Sequence, residues 1–450
     1  MSGDFIHEVL VAMMHAERRT EPFWRPYANA LFREPCAALL QALINLRRPN
    51  EGLDLADEQY LPGEEEALDS IIADMGDYMR RKYRPGEFER VGNTKTHGVV
   101  RGEVSVRDDL PPELRQGIFK TIRSYPAWIR FSGPGPDSPP DIEDVGFMSM
   151  TLKLMDVPGP KLLDDEKFTQ DLLGVCTPTF VTPHVLANAQ LQRQLLKRTP
   201  LYYFFDPRRS HVLDFLMQSL WNETQTSPLE CQYYSCTPYL IGQGRAMIYS
   251  MRPRAHTRSK IPDLPRRPPD NYLRDAMIET LSRQDVVFDL LIQVQTDAHA
   301  MPIENAAVRW PERLSPFIPA ATIRIPAQRF DSAEQLRFAQ RLSYTPWHCL
   351  PEHRPLGNQN RARRRMYWEL SRLRLTRNQV AHYEPNGREV FGENAPNPVA
   401  VGIAAAAAAA APARTLPPPS GPRPRVAGSF ASPLAALNRV RAIFEGSRQT

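Results

Sequence analysis

The sequence has few of the features that would assign it to a secreted, membrane-spanning or nucleic-acid-binding class. It has only five cysteines in 450 residues, an odd number without the density of a disulfide framework. No uninterrupted apolar run reaches the roughly 18 residues that a membrane span requires. The net charge of +5 is too small on a chain of this length to indicate nucleic-acid binding. We therefore expect a cytoplasmic protein with reduced thiols, without a transmembrane segment and without a nucleic-acid partner.

Two short motifs are also missing. Cys231 and Cys236 form a CxxxxC pattern without the second pair or nearby His that a zinc site would need. Near the N-terminus, Asp4, His7 and Glu8 interrupt any apolar run, so we expect no signal peptide. Proline, in contrast, is abundant: the 44 prolines concentrate in connectors and in the C-terminal region, which indicates long irregular loops.

The first 86 residues are predicted to be helical and separate from the rest of the chain. From Phe32 to Leu46, leucines recur at helical spacing and form an apolar face that must pack against another surface. A second amphipathic helix follows Gly63 and ends before Pro85. Its apolar stripe consists of Leu68, Ile71, Ile72, Met75 and Met79. Neither helix carries residues typical of catalysis, so we interpret residues 1–86 as an N-terminal helical extension.

From residue 87 the pattern changes to short alternating segments that are typical of β-strands. Gly98–Val106 alternates apolar and polar residues. The other predicted strands are 128–131, 147–154, 239–251, 286–296 and 321–325. Successive strands without crossover helices indicate antiparallel pairing, hence a barrel or a sandwich. Because helices are predicted again at 332–342 and from Arg361 to about Thr376, the predicted fold class is α+β.

The C-terminal region loses this pattern at about Pro385. An alanine run at 404–411 lies between Pro-rich segments, and such a composition buries too little apolar area to offset chain entropy. We therefore predict a disordered linker at 385–430. Residues 431–450 again carry apolar residues on one helical face, which leaves open both a short C-terminal helix and a frayed tail. These apolar residues are Leu434, Leu437, Val440 and Phe444.

The helix predicted from Arg361 carries a pattern with a chemical meaning. Arg363, Tyr367 and Arg374 recur at spacings of four and seven and therefore share one face. A phenol is a poor metal ligand while protonated, because its reference pKa is about 10. A guanidinium one turn away favours the phenolate, which binds ferric iron and serves as an axial haem ligand. The alternative is a solvated basic helix in which Tyr367 and Trp368 merely pack.

Several short segments between residues 87 and 374 follow one another in a recognisable order. They are ERVGNTKTHG at 89–98, YPAWIRFS at 125–132, DVGF at 144–147, LKL at 152–154, TQDLL at 169–173, GVCTPTF at 174–180, QVQT at 293–296, RWP at 309–311, and 353–367. Taken in order, these segments resemble the catalase superfamily, and more specifically its shorter, catalase-like haem-binding branch found mainly in bacteria. Their shared order implies an antiparallel β-barrel of about eight strands with surrounding helices. It also implies a haem b-binding domain at 87–384.

The resemblance implies roles for individual residues as well. Tyr367 would be the axial ligand of the haem iron, and Arg363 would keep it ionised. The other residues implied to hold the cofactor are Arg90, Arg130 and Arg374 at the propionates, Val99 in the pocket wall, and Phe180 on the distal porphyrin face.

Two positions depart from the family pattern. Asn93 occupies the position of the catalytic distal His, and Val175 occupies that of the distal Asn. Asn can donate and accept hydrogen bonds but cannot shuttle a proton, and loss of that shuttle should cost about 10²–10⁴ in rate. His97 lies an even number of residues beyond Asn93, on the same side of a strand if both residues belong to it. A rescue by His97 therefore stays open.

These departures favour a catalase-like haem protein of the peroxidase type, an oxidoreductase that transforms an organic hydroperoxide, lipid hydroperoxides included. Its hydrogen peroxide dismutation would be weak or absent. One alternative is a haem-binding protein without efficient turnover, namely a sensor, a carrier or a degenerate homologue. Another is a lipid- or partner-binding barrel without haem. The expected partner is a small-molecule hydroperoxide, and a homo-oligomer is compatible with the sequence.

Overall fold

The structure, a computed structural model, describes residues 5–144 and 146–391. Its strands are β1 (Thr96–Val106), β2 (Ser124–Ser132), β3 (Ser149–Leu154), β4 (Gln170–Val175), β5 (Tyr233–Tyr234), β6 (Tyr239–Leu240), β7 (Ala246–Pro253), β8 (Val286–Val294) and β9 (Ile318–Ile325). All neighbours pair antiparallel. The ring runs β1-β2-β3-β4-β5-β7-β8-β9 and returns to β1, while β6 extends the sheet beside β7. This confirms the predicted antiparallel barrel of about eight strands.

The barrel is not joined with equal strength around its circumference. β1 and β2 pair from Thr96↔Ser132 to Ser105↔Ser124 along nearly their whole length. β5, in contrast, pairs with β4 only through Val175↔Tyr234. It pairs with β7 only through Tyr233↔Met251 and Tyr234↔Ser250. The barrel therefore closes through a narrow seam, and Val175 lies in that seam.

Eight α-helices occur in the described part of the chain. They are α1 (Phe5–Arg47), α2 (Glu64–Lys82), α3 (Val185–Leu196), α4 (Leu201–Phe204), α5 (Val212–Ser219), α6 (Tyr272–Leu281), α7 (Ala333–Arg341) and α8 (Asn358–Arg377). In α2 the stripe is buried at Leu68, Ile71, Met75 and Met79, as predicted. None of these helices has both the length and the apolarity needed to cross a bilayer. The predicted segment 431–450, and the predicted linker from residue 392 on, lie outside the described residues.

The two faces of the barrel wall have different roles. Ile129, Phe131 and Leu152 point inward and belong to the main apolar core. Because strand residues alternate between faces, Arg130 and the residues paired with it point outward. The ladder pairs Val99 with Arg130, and Arg130 with Thr151. The outer face therefore carries polar residues that need partners among the surrounding helices.

The leucine face predicted within 32–46 packs against its own chain only at Leu40, which is partly buried against the apolar cluster around Trp221. Leu39 and Leu46 are 62% and 82% exposed. The buried residues of α1 in this cluster are Ala37 and Ile44. The sequence pattern located an apolar face correctly, but most of this face points away from the barrel.

A buried ionic cluster joins β3 and β4 to the segment before α8. The Lys153 Nζ lies 2.8 Å from an oxygen of Asp171 and also donates to Glu166. His348 Nδ1 lies 2.9 Å from the other Asp171 oxygen. Burial alone would lower the pKa of His348, but Glu166 and Asp165 raise that pKa to about 10. Glu166, Asp171 and His348 are close enough to hold a metal ion, but Lys153 already supplies a cation at this point.

Substitution of Lys153 by Met should destabilise the fold by about 3–5 kcal/mol, because Glu166 and Asp171 would lose a fully buried cation and keep only His348 between them. Urea unfolding would measure the loss of free energy. The control is Lys120→Met, since Lys120 is exposed and should tolerate the same change. A difference below about 1 kcal/mol between parent and Lys153→Met would contradict a role of this cluster in stability.

Candidate functional site

The N-terminus of α8 is fixed by a tight packing arrangement. Gly357 has φ of 83°, and a Cβ at this position would lie 2.5 Å from the carbonyl oxygen of Ile303. Only glycine fits both conditions. The side-chain oxygen of Asn358 then accepts from the backbone N–H of Val185. The backbone N–H of Asn358 donates to the Glu304 carboxylate at 2.8 Å. These contacts determine the position and the direction of the helix that carries Arg363 and Tyr367.

Arg363 and Tyr367 lie one helical turn apart, as the sequence predicted. Arg363 donates to Asn360 Oδ1 at 3.0 Å and to Thr237 Oγ1 at 3.1 Å. Burial opposes the charge of this guanidinium, but nearby Tyr367 favours it, and the pKa of Arg363 is raised above its ordinary value. The guanidinium carbon also lies 5.2 Å from the ring centre of Phe180. The structure therefore brings Arg363, Tyr367 and Phe180 together.

Three further arginines meet at the C-terminal end of α7. The carbonyl oxygen of Leu342 accepts from both Arg90 and Arg374, the latter at 3.1 Å. Arg130, from β2, donates to Thr96 Oγ1 at 2.7 Å. Arg130 and Arg374 are each only 2% exposed. Three guanidinium groups that are far apart in sequence thus form one cluster, which we call the arginine cluster (Arg90, Arg130 and Arg374).

The arginine cluster has no carboxylate within ion-pair distance in the described part of the chain, although the charge of Glu89 acts on Arg90 and Arg130 from farther away. None of its three members forms an ion pair with a carboxylate among the described residues. Burial, followed by the charges of Arg90 and Arg130, holds the pKa of Arg374 well below its usual range. The hydroxyl of Tyr344 is buried without a hydrogen-bond partner in the same surroundings. Uncompensated buried cations with an unpaired donor fit a site for an anionic ligand.

Asn93 and Val175 come together on the outer face of the barrel wall. Asn93 has a left-handed backbone, with φ of 53°, just before β1. Its Oδ1 accepts from the Ser149 hydroxyl at 2.6 Å. Ser149 is paired with Val175 in the β3–β4 ladder, so the two side chains share a face. The Asn93 carbonyl oxygen accepts from Arg130, which connects this group to the arginine cluster.

Ser149 is a residue that the sequence pattern did not single out. The strand predicted at 147–154 places Ser149 and Thr151 on one face. That alternation was the available signal, but it does not show which neighbouring strand Ser149 faces.

His97 lies in a different environment. The β1–β2 register shifts between Thr96 and Gly98, so His97 occupies an irregularity of the strand. Its Nδ1 lies 3.7 Å from Asp141, and neither ring nitrogen has a hydrogen-bond partner. Burial, with the charges of Lys95 and Arg274, lowers the pKa of His97 well below 6.5. His97 is therefore a neutral, buried imidazole at neutral pH.

The geometric premise for a rescue by His97 is wrong. We expected Asn93 and His97 on one strand face, but β1 begins only at Thr96, and Asn93 precedes it in a left-handed conformation. The two residues therefore do not share the alternation of a single strand.

Val99 lies next to the arginine cluster but is fully covered. It pairs with Arg130 in the β1–β2 ladder. Its side chain packs with Trp128 and, in α7, with Phe338. Tyr367 packs in a separate cluster between α2, α3 and α8. The structure thus brings Val99 to Arg130 and does not place it in the apolar cluster that contains Tyr367.

Comparison with solved structures shows what fold this is. A fungal catalase matches with 16% identity over 86% of this chain and 79% of that chain, at a TM-score of 0.53. Catalase A from Saccharomyces cerevisiae matches with 16% identity over 89% of this chain and 88% of that chain, at a TM-score of 0.56. No protein-family model and no curated protein matches the chain. The chain therefore has a catalase-like fold, and fold alone does not determine its chemistry.

Proposed function

We propose that this protein is a catalase-like haem protein of the short branch, in which residues 87–384 bind haem b. It would transform an organic hydroperoxide and dismutate hydrogen peroxide weakly or not at all. The observation that carries the proposal is the arginine cluster, which is buried and has no carboxylate partner among the described residues. Two haem propionates would supply two negative charges and the acceptors for charge-assisted hydrogen bonds. The catalase-like fold supports the same ligand class.

A haem site also requires a ligand for the iron, and residues on α8 fit this second requirement. Arg363 lies one turn from Tyr367 on α8, and Tyr367 helps to raise the pKa of the Arg363 guanidinium. A bound haem would supply the redox-active iron that breaks a peroxide O–O bond. In this proposal Tyr367 holds the iron and Arg363 maintains the charge of its ligand. The contacts proposed for Val99 and Phe180 with the porphyrin rest on the family resemblance.

Asn93, Ser149 and Val175 determine what the peroxide side of the pocket can do. The Ser149 hydroxyl donates to Asn93 Oδ1, so the amide N–H groups of Asn93 stay available to orient a peroxide oxygen. An amide cannot take up and return a proton near neutral pH, unlike an imidazole. Val175 adds no polar atom and favours an apolar substituent on the peroxide. This combination supports an organic hydroperoxide as the substrate.

The test is a comparison of two substrates on the haem-loaded protein. We expect consumption of cumene hydroperoxide to be readily measurable. Oxygen release from hydrogen peroxide should be about 10²–10⁴ below that of a catalase with a distal imidazole. The control is His97→Ala, which should leave both rates near those of the parent because His97 lies beside Asp141 and not with Asn93, Ser149 and Val175. Brisk oxygen release that His97→Ala abolishes would contradict the assignment of the distal residues.

A haem-binding protein without efficient turnover is the second candidate. The observation that favours it is that position 93 has no imidazole and position 175 has no polar side chain, which leaves the pocket without a proton shuttle. A haem-loaded protein that consumes neither hydrogen peroxide nor cumene hydroperoxide would support this candidate. The cytoplasmic location stays a prediction, and the five free cysteines are compatible with it.

A further inference from the structure

The side of α1 that faces the barrel is held mainly by polar contacts. Arg18 donates to Asn222 at 2.7 Å, and Asn29 donates to Glu223, also at 2.7 Å. Arg33 forms an ion pair with Glu223 at 3.0 Å. The residues of α1 that make such contacts recur at helical spacing and are Arg18, Glu21, Arg25, Asn29, Arg33 and Gln41. Arg18, Arg25 and Arg33 are therefore engaged with their own chain.

The opposite side of α1 is apolar and exposed, and we call it the outer face. It consists of Val9, Leu10, Met13, Phe23, Trp24, Tyr27, Leu31, Phe32, Leu39, Leu43 and Leu46. Tyr27 is 75% exposed and Leu31 is 67% exposed. Among the exposed residues between Val9 and Leu46, the only charged ones are Glu17 and Glu34. In a surface helix the apolar face normally points towards the protein core and the polar face towards solvent.

An apolar surface of this size requires a partner. The eleven large side chains of the outer face are each between 39% and 82% exposed, which together exceeds the few hundred Å² of apolar patch usual on a monomer. A stable protein–protein interface needs about 800 Å² from each partner. The outer face can therefore supply a complete interface without any other element of the fold.

We propose that the outer face of α1 is the interface between two copies of this chain, paired as antiparallel helices about a two-fold axis near Tyr27. The aromatic residues Phe23, Trp24 and Tyr27 lie at the middle of the helix, and aliphatic residues lie towards both ends. An antiparallel pair places Val9 and Met13 of one copy against the leucines at 39–46 of the other. A two-fold interface requires such self-complementarity.

The distribution of charge favours a second copy over a membrane surface. Helices that lie on a membrane carry Lys and Arg beside their apolar side, where these residues meet anionic lipids. In α1, Arg18, Arg25 and Arg33 point inward instead and bind the protein's own side chains and carbonyl groups. Glu17, an exposed carboxylate beside the outer face, would be repelled by an anionic surface, whereas Glu34 accepts from Arg309 of its own chain at 2.6 Å.

Analytical ultracentrifugation of the full chain tests the proposal. We expect a dimer with a mass of twice 51.2 kDa. Leu31→Glu, which buries a carboxylate in the interface, should shift the mass to that of a monomer. Ile122→Glu is the matched control, because Ile122 is 59% exposed but lies outside α1, and this variant should remain a dimer. Circular dichroism would show that both variants retain the fold.

Disulfide trapping gives an independent measurement of the axis. In a Cys36→Ser background, Tyr27→Cys should form a cross-linked dimer on mild oxidation, and Ile122→Cys should not.

A monomeric parent would overturn the proposal, whether the outer face is covered by another segment of the same chain or by a lipid surface. Binding of that monomer to phosphatidylcholine vesicles, lost in Leu31→Glu, would assign the face to a membrane. A dimer that Leu31→Glu leaves intact would also overturn the proposal.

Discussion

Replacement of Asn93 by histidine is expected to raise the hydrogen peroxide turnover of the haem-loaded protein by about 10²–10⁴-fold, because an imidazole can take up and return the peroxide proton. The left-handed backbone at this position, with φ of 53°, is one that Asn and His adopt more readily than most residues, so the change should not strain the chain. Ser149, which donates to Asn93, can donate to a ring nitrogen instead. Oxygen release measured with an electrode gives the rate.

Two further variants make this result specific. Asn93→Gln keeps an amide without adding a proton shuttle and should give no gain. Asn93→His combined with Val175→Asn should exceed Asn93→His alone, because the two groups act on the same bound peroxide and need not be additive. If the parent already releases oxygen briskly, Asn93→His has no effect, and His97→Ala abolishes the activity, then the distal group has been assigned to the wrong residue.

Tyr367→Phe should remove the axial ligand and weaken haem retention at least about 100-fold, since changes to the groups that merely orient a metal ligand already cost 10–100-fold. Titration of the protein with haemin, followed by its absorption spectrum, measures both affinity and ligation. Trp368→Phe is the control, because it removes a neighbouring aromatic residue of α8 and should leave the spectrum unchanged.

A variant of the arginine cluster separates ligation from propionate binding. Arg374→Gln should weaken haemin binding while the bound form keeps the parent spectrum, because the iron ligand is intact. Tyr367→Phe should change the spectrum itself. If Tyr367→Phe retains both the parent spectrum and the parent affinity, Tyr367 is not the ligand. If Arg374→Gln binds haemin as tightly as the parent, the arginine cluster serves another anion.

The barrel was largely predictable from sequence because most of its strands are half-buried and alternate. The predicted segments 98–106 and 286–296 correspond closely to β1 and β8. β4 was not predicted from the alternation, because its Gln170 and Asp171 are buried together with its apolar residues, and the Asp171 carboxylate pairs inside the protein with Lys153 and His348. β5 has two residues, too few to form any pattern.

The candidate site was only partly predictable for a different reason. The relation between Arg363 and Tyr367 is local and follows from helical periodicity alone. The arginine cluster follows from no spacing in the sequence, because it forms only when α7 ends beside α8 and presents the Leu342 carbonyl oxygen to both Arg90 and Arg374. In α1 the periodicity located an apolar face but could not show whether this face points towards the barrel or towards solvent. The side of α1 that faces the barrel is fixed by polar contacts, such as that of Arg18 with Asn222, which the periodicity does not predict.

The narrow seam at β5 has a consequence for the motion of the barrel. Opening a strand costs least where few ladder hydrogen bonds must break, and Val175 is joined to Tyr234 by a single ladder pair. A local opening there would separate Val175 from Tyr234, while the six-pair β3–β4 ladder keeps Val175 beside Ser149. In the proposed function, this seam is the place where a bulky peroxide would enter through the barrel wall while the long β1–β2 ladder stays closed.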